Sequence, residues 1–186
     1  MLALRELTLI IKNNRLLAPD LSDLSESEGN RFNRFFWSIL EGNYKTDDEA
    51  SQAFYSKDKN NPAYQKLKKE FKKKLLNHLF FLNFETNKYS DRQKAYFSCH
   101  KDWGATKILL GKNAWKAAID LCFKILKKAR KFEFTDLAVE VSKTLRLYYS
   151  TREGNLKKYE YYHSEYQKFK KIQELEEFAE FLYTDL

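Results

Sequence analysis

The amino-acid sequence predicts an all-α protein, because three features of it favour helices over strands. Only 5 glycines and 2 prolines interrupt the 186 residues, whereas leucine, lysine, glutamate and alanine, which favour helices, are abundant. Apolar side chains recur at spacings of three and four residues, as on the buried face of a helix. Segments 113–129 and 135–149 show this pattern on either side of a short turn, and Gly154 precedes a third such segment. We therefore expect antiparallel helix pairs, arranged as a bundle or an α-solenoid.

Composition and charge limit the class of protein without selecting its partner. Hydrophobic residues make up 43% of the chain, which is enough for the core of one domain. The net charge of +8 suits nucleic acid, an anionic membrane surface or an acidic protein as the partner. Residues 1–11 are apolar but are interrupted by Arg5 and Glu6. We expect an amphipathic first helix there, because the segment resembles no signal peptide and is too short to cross a bilayer.

The next two segments predict a loop and then a helix. Residues 18–29 contain Pro19, several serines and several acids, a composition typical of a loop. Residues 31–41 place five apolar side chains on one helical face, and Gly42 is expected to end that helix. The five side chains are Phe32, Phe35, Phe36, Ile39 and Leu40.

Polar residues mark the beginnings of three central helices. Residues 46–49 have the form of a capping box and predict a short helix. Asn61 before Pro62 predicts the start of a longer helix, and Ser90 predicts the start of the next one. The longer helix has one apolar face, formed by Tyr64, Leu67, Phe71, Leu75, His78, Leu79 and Leu82.

The last predicted helix begins near Asn155 and continues to about Tyr183. Its first half is rich in tyrosine. Its final segment, 175–183, combines apolar residues with glutamates at helical spacing. An apolar stripe of this kind needs cover, which further protein chain, a partner or self-association through 175–183 would provide.

The segment between about residues 105 and 175 resembles a tetratricopeptide-like repeat. Tyrosines at 148–149 precede Gly154, as at the end of a second repeat helix. Asn113 and Asn155 open corresponding helices, although their offset of 42 residues exceeds the roughly 34 of the standard repeat. The residues at the small packing positions are Ala118, Ala129 and Ala138. The resemblance implies an α-solenoid fold that binds other proteins along a groove.

The resemblance also implies a division of the chain and a class of function. Residues 1–104 are expected to form a helical capping region and residues 105–186 a repeat region, within one continuous domain. We expect a non-catalytic interaction module that steers an acidic peptide or protein to a basic groove and anchors it on aromatic rings. The residues expected to bind the partner are Lys116, Lys124, Lys127, Tyr149, Tyr159 and Tyr162.

Two other functions remain open at this stage. A lysine-rich helix face would suit a nucleic-acid-binding protein, since neutralised phosphates release their counterions. The residues that would contact nucleic acid are Lys66, Lys69, Lys72 and Lys73, with Lys68 alongside, and a second lysine stripe extends from Lys116 to Lys131. The chain would otherwise be a regulatory fragment of a larger multidomain protein.

Signs of catalysis, metal binding and cofactor binding are weak in the sequence. Cys99 and Cys122 lie in apolar stretches, which favours reduced, buried thiols and a cytoplasmic location over a disulfide between them. No histidine or cysteine has the spacing of a zinc site, and the glycines form no phosphate loop. Seven residues separate Arg92 from His100, whereas the HEPN ribonuclease motif has four to six. We therefore expect no enzymatic activity, no metal and no cofactor.

Overall fold

The computed structural model describes residues 1–13, 26–85 and 88–184. Within these ranges the chain forms eight α-helices and no strand, which confirms the predicted all-α class. None of the described helices is long and apolar enough to span a membrane. The helices are α1 Leu2–Asn13, α2 Glu26–Glu41, α3 Asp47–Tyr55, α4 Pro62–Leu79, α5 Asp91–Gly111, α6 Trp115–Phe132, α7 Thr135–Thr151 and α8 Leu156–Thr184.

The chain divides into two compact units, Met1–Asn83 and Phe84–Leu186. The first contains α1 to α4 and the second contains α5 to α8. Residues 104 and 105, between which the sequence suggested a boundary, both lie inside α5. The division into a capping region and a repeat region concerns function and stays a prediction.

The first unit has an aromatic core between α2 and α4. Phe71 of α4 lies 4.9 Å from Phe35 and 5.3 Å from Phe32 of α2, measured between ring centroids. The predicted apolar face of residues 31–41 is buried throughout. α1 packs on α2 and α4, and Leu4 and Ile11 are its buried apolar residues.

The beginning of α2 differs from the expectation. The helix starts at Glu26, so the predicted loop is wrong for residues 26–29, while residues 18–25 lie outside the described chain. The composition of this segment misled the prediction, since acidic residues are also favourable in the first turn of a helix. Gly42 ends α2 with a φ of +77°, as expected of a residue in the left-handed conformation.

The predicted starts of the three central helices are confirmed in detail. The Thr46 side chain accepts a hydrogen bond from the Glu49 amide, and the Glu49 carboxylate accepts one from the Lys45 amide at 2.8 Å. The Asn61 side chain accepts bonds from two amides of the first turn of α4. Ser90 and Gln93 form a reciprocal capping box at the start of α5.

The end of α4 and the start of α6 differ from the sequence prediction. α4 stops at Leu79 rather than Leu82. The next three amides bond to carbonyls only three residues back, which is the tighter pattern of a 3₁₀ turn and ends the α-helix. α6 begins at Trp115 instead of residue 113. Asn113 has a φ of +59° and belongs to the turn after α5.

The second unit is a series of helices in which each packs on the next, from α5 through α8. Glu133, at a φ of +58°, and Phe134 form the turn between α6 and α7. Neighbouring helices are antiparallel, since Trp115 at the start of α6 stacks on Tyr148 near the end of α7. The core contains Ala129 and Ala138 together with larger apolar side chains, and Ala118 is buried as well.

Candidate functional site: an aromatic groove beside a lysine face

Two stacked tyrosines join the end of α7 to the beginning of α8. The rings of Tyr149 and Tyr162 are nearly parallel, at 6°, with centroids 5.4 Å apart. Gly154 makes this approach geometrically accessible, because its φ of +65° lets the chain turn back along α7. Tyr149 is only 3% exposed, and Tyr162 is half-buried. Burial raises the pKa of both phenols, so both stay uncharged at neutral pH.

Two exposed rings lie beside this stacked pair. Phe123 of α6 is 39% exposed, and its centroid lies 6.4 Å from that of Tyr162. Tyr161 is 50% exposed and contacts Tyr162 edge-on at 4.9 Å. Together they form an open groove with a volume of about 540 Å³, which we call the aromatic groove. It is lined by Phe123, Tyr149, Asn155, Lys157, Lys158, Tyr161 and Tyr162.

Two lysines of α8, Lys157 and Lys158, belong to the lining of the aromatic groove. Lys158 of α8 bonds to Glu153 at 3.1 Å, and its ammonium lies 4.7 Å from the centroid of the Tyr149 ring. The bond to Glu153 raises the pKa of Lys158, which is therefore fully protonated at neutral pH. Lys157 is exposed, and it has no ion pair within the described chain.

The three predicted lysines of α6 are all exposed to solvent and form the α6 lysine face: Lys116, Lys124 and Lys127. Phe123 lies seven residues after Lys116 and four residues before Lys127. The helical period therefore places its ring on the same side of α6 as these lysines. None of the three forms an ion pair with a described residue. Their charges are therefore available to an anionic ligand.

Tyr159 is the one predicted tyrosine outside the lining of the aromatic groove, and the three predicted lysines of α6 are not part of that lining either. Its ring stacks on His163 at 5.7 Å, and a ring nitrogen of His163 lies 3.2 Å from the Arg146 guanidinium. Tyr159 is half-buried and packs against the core of the second unit. Of the three predicted tyrosines, therefore, Tyr149 and Tyr162 are brought together and Tyr159 is not.

In a second groove of this unit, an arginine and a glutamate already have partners within the chain. It has a volume of about 560 Å³ and runs between α6, α7 and α8. Arg130, on its wall, donates to the Tyr161 hydroxyl and forms an ion pair with Glu165. The Glu176 carboxylate accepts a hydrogen bond from Thr135 at 2.9 Å. An incoming anion would have to displace these internal partners, so the aromatic groove is the better binding site.

The lysines predicted to contact nucleic acid lie on α4, in the first unit. Lys66, Lys69, Lys72 and Lys73 are all exposed. Lys66 lies 4.0 Å from Glu70, and no described acid pairs with the other three. Lys68 instead bonds to Asp47 at 2.8 Å and ties α3 to α4. The aromatic residues of α4 itself are fully buried and offer no ring for stacking on a base.

The end of α8 has a second unusual surface, which we call the acidic end of α8 and define as residues 173–184. Its apolar side chains are 50% to 82% exposed. They belong to Leu175, Phe178, Phe181, Leu182 and Tyr183. The segment contains four glutamates and no lysine or arginine. The uncovered stripe that the sequence indicates is therefore present at the surface.

The cysteines, Arg92 and His100 are the residues that the sequence raised for catalysis or metal binding. Cys99 and Cys122 are free and buried, as predicted, and burial raises the pKa of the Cys122 thiol to about 12. Arg92 lies over the Phe134 ring at 5.2 Å, and His100 contacts the Tyr96 ring at 4.3 Å. Among the described residues no three potential ligands are grouped closely enough to hold a metal ion.

Five residues of the aromatic groove were not predicted as contact residues from the sequence: Phe123, Asn155, Lys157, Lys158 and Tyr161. Phe123 could have been predicted, because its spacing from Lys127 places its ring on the polar side of α6, outside the apolar face of that helix.

Comparison of the chain with protein-family models, with curated proteins and with solved structures found no match. The geometry of the surface is therefore the basis for assigning a function.

Proposed function

We propose that the second unit is a non-catalytic protein-interaction module that binds an acidic peptide or protein segment carrying apolar side chains. The observation that carries the proposal is the combination of two exposed rings, Phe123 and Tyr161, with the unpaired Lys157 in the same groove and with exposed lysines on α6, the helix of Phe123. Rings of this kind anchor a partner, while the surrounding cations attract and orient it. Tyr149 supports the groove from beneath.

A tetratricopeptide-like arrangement of α5 to α8 is part of the proposal. It is supported by the sequential packing of antiparallel helices and by the near-complete burial of Ala118, Ala129 and Ala138, where helices approach closely. Repeats of this type present grooves to other proteins. A cytoplasmic location also belongs to the proposal, because the two free thiols suit a reducing compartment.

The binding test uses a fluorescent synthetic peptide made of glutamate, leucine and phenylalanine at helical spacing. Fluorescence anisotropy should show saturable binding to the full chain. Phe123→Ser and the double variant Lys124→Glu/Lys127→Glu should each weaken binding by about tenfold. The matched controls are Leu147→Ser, at an exposed apolar position of α7, and Lys69→Glu/Lys73→Glu on α4. Equal affinity for groove variants and controls would refute the proposal.

A second candidate function, binding of nucleic acid, is favoured by the three unpaired lysines of α4. Binding through phosphates should weaken steeply as salt rises, with a slope set by the number of phosphates neutralised. The triple variant Lys69→Glu/Lys72→Glu/Lys73→Glu should then abolish binding to a single-stranded oligonucleotide, while the α6 variant retains it. An oligonucleotide affinity unchanged in the triple variant would remove α4 from consideration.

A further inference from the structure

The end of α8 has two different sides. On one side, the Gln173 side chain donates to Asp136 at 2.8 Å and Glu176 accepts from Thr135 at 2.9 Å, which holds the helix on α7. On the other side, three apolar residues recur at spacings of three and four residues and so form a stripe along the helix. They are Leu175, Phe178 and Leu182, which are 60%, 59% and 50% exposed. The stripe is therefore largely uncovered by the described part of the chain.

The charge of this segment restricts what can cover the stripe. Glu174, Glu177 and Glu180 are exposed beside it, and no lysine or arginine occurs between residues 172 and 184. Two such segments packed against each other would bring glutamates of both copies together, which is unfavourable. A fitting partner surface has apolar rings at its centre and cations around them.

The aromatic groove has both of these properties. Phe123 and Tyr161 offer exposed rings, and Lys157 is an exposed cation in the same groove. Lys124 and Lys127 are exposed on α6, the helix that carries Phe123. We infer that the acidic end of α8 in one copy docks into the aromatic groove of a second copy. This inference rests on the proposed function, since it names the acidic segment that the groove receives.

The docking cannot occur within one copy. Tyr161 of the groove and Phe178 of the stripe belong to the same continuous helix, α8. Seventeen residues separate them, which corresponds to about 25 Å along a helix that rises 1.5 Å per residue. The stripe therefore reaches only the groove of another molecule. Each copy keeps one free groove and one free end, so the contact is head-to-tail and permits growth beyond a dimer.

The strength of the contact follows from its size and its charges. One helix end on one groove buries less than the roughly 1,200 Å² of a stable interface, so we expect association in the micromolar range. Exposed ion pairs are screened by salt, and association should weaken between about 50 and 300 mM salt.

The test is sedimentation velocity of the full chain and of two variants. The groove variant is Lys124→Glu/Lys127→Glu and the end variant is Phe178→Ser/Leu182→Ser; all four side chains are exposed, so both variants should fold. Wild type should form species larger than a dimer as its concentration rises. Each variant alone should remain monomeric, and an equimolar mixture should form a one-to-one heterodimer. The matched controls are Lys69→Glu/Lys73→Glu and Ile108→Ser, the latter 67% exposed, and both should associate like wild type.

The outcomes separate this inference from the proposed function. If the groove variant still dimerises and the mixture forms no heterodimer, the ends pair with each other and the inference is wrong. If wild type stays monomeric but the end variant binds the synthetic acidic peptide, the inference is wrong and the proposed function stands. If neither association nor peptide binding occurs, both are wrong.

Discussion

Replacing Tyr149 by alanine should destabilise the second unit, although the sequence assigns this tyrosine to partner binding. The ring is 3% exposed and lies between Tyr148 and Tyr162, at centroid distances of 5.2 and 5.4 Å. Truncating a fully buried aromatic side chain to alanine costs about 3–5 kcal/mol. The matched variant Phe123→Ala removes a ring that is 39% exposed and should cost about 1–2 kcal/mol.

Urea unfolding followed by circular dichroism measures the difference between the two variants. Tyr149→Ala should lower the midpoint of the transition of the second unit by roughly 2 M, and Phe123→Ala by less than roughly 1 M. Peptide binding at low urea should respond in the opposite order, because Phe123 is exposed to the ligand. If Tyr149→Ala unfolds with wild-type stability and loses peptide binding instead, the ring contacts the partner and the structural role assigned to it is wrong.

Three further predictions concern stability and reactivity. Burial raises the pKa of Asp47, but bonds from Lys68 and Tyr64 outweigh burial and hold this pKa below its usual value. The ionised carboxylate therefore stabilises the fold above about pH 4. The advantage of wild type over Asp47→Asn in urea unfolding, about 1–3 kcal/mol at pH 7, should shrink as the pH falls below this value and the carboxylate takes up a proton. An advantage independent of pH would contradict this. Thr46→Ala removes the cap of α3 and should cost about 1 kcal/mol, whereas an unchanged urea midpoint would show that the cap is dispensable. Because burial raises the pKa of Cys122 to about 12, iodoacetamide at pH 8 should alkylate it only after unfolding, and mass spectrometry showing fast labelling of the folded chain would disprove its burial.

The helices themselves were largely predictable, because their signals are local. The caps at Thr46, Asn61 and Ser90 each depend on one side chain and the amides within three residues of it, and the structure confirms all three. The start of α2 was not predictable in the same way. Serines and glutamates suit both a loop and the first turn of a helix, so composition alone does not decide between them.

The candidate site was predictable only in part, because burial depends on how helices cross. The exposed positions of Lys116, Lys124 and Lys127 follow from the period of α6 alone. Which of the tyrosines between 148 and 166 are buried does not follow from the helical period alone. Tyr149 is buried and Tyr159 packs against the core because α7 and α8 pack together along a particular line. The sequence pattern contains the spacing of these rings but not that line of contact.

Site-specific photocrosslinking from position 123 tests most directly whether the aromatic groove binds acidic, apolar segments. Benzoylphenylalanine would replace Phe123 in the full chain, with the same group at Leu147 as the control, because both positions are exposed. The mixture would be irradiated with the synthetic acidic peptide and read by mass spectrometry. We expect position 123 to crosslink to the peptide, and position 147 to give no such product. Equal yields from the two positions, or no product from position 123, would contradict the assignment of this surface as the binding site.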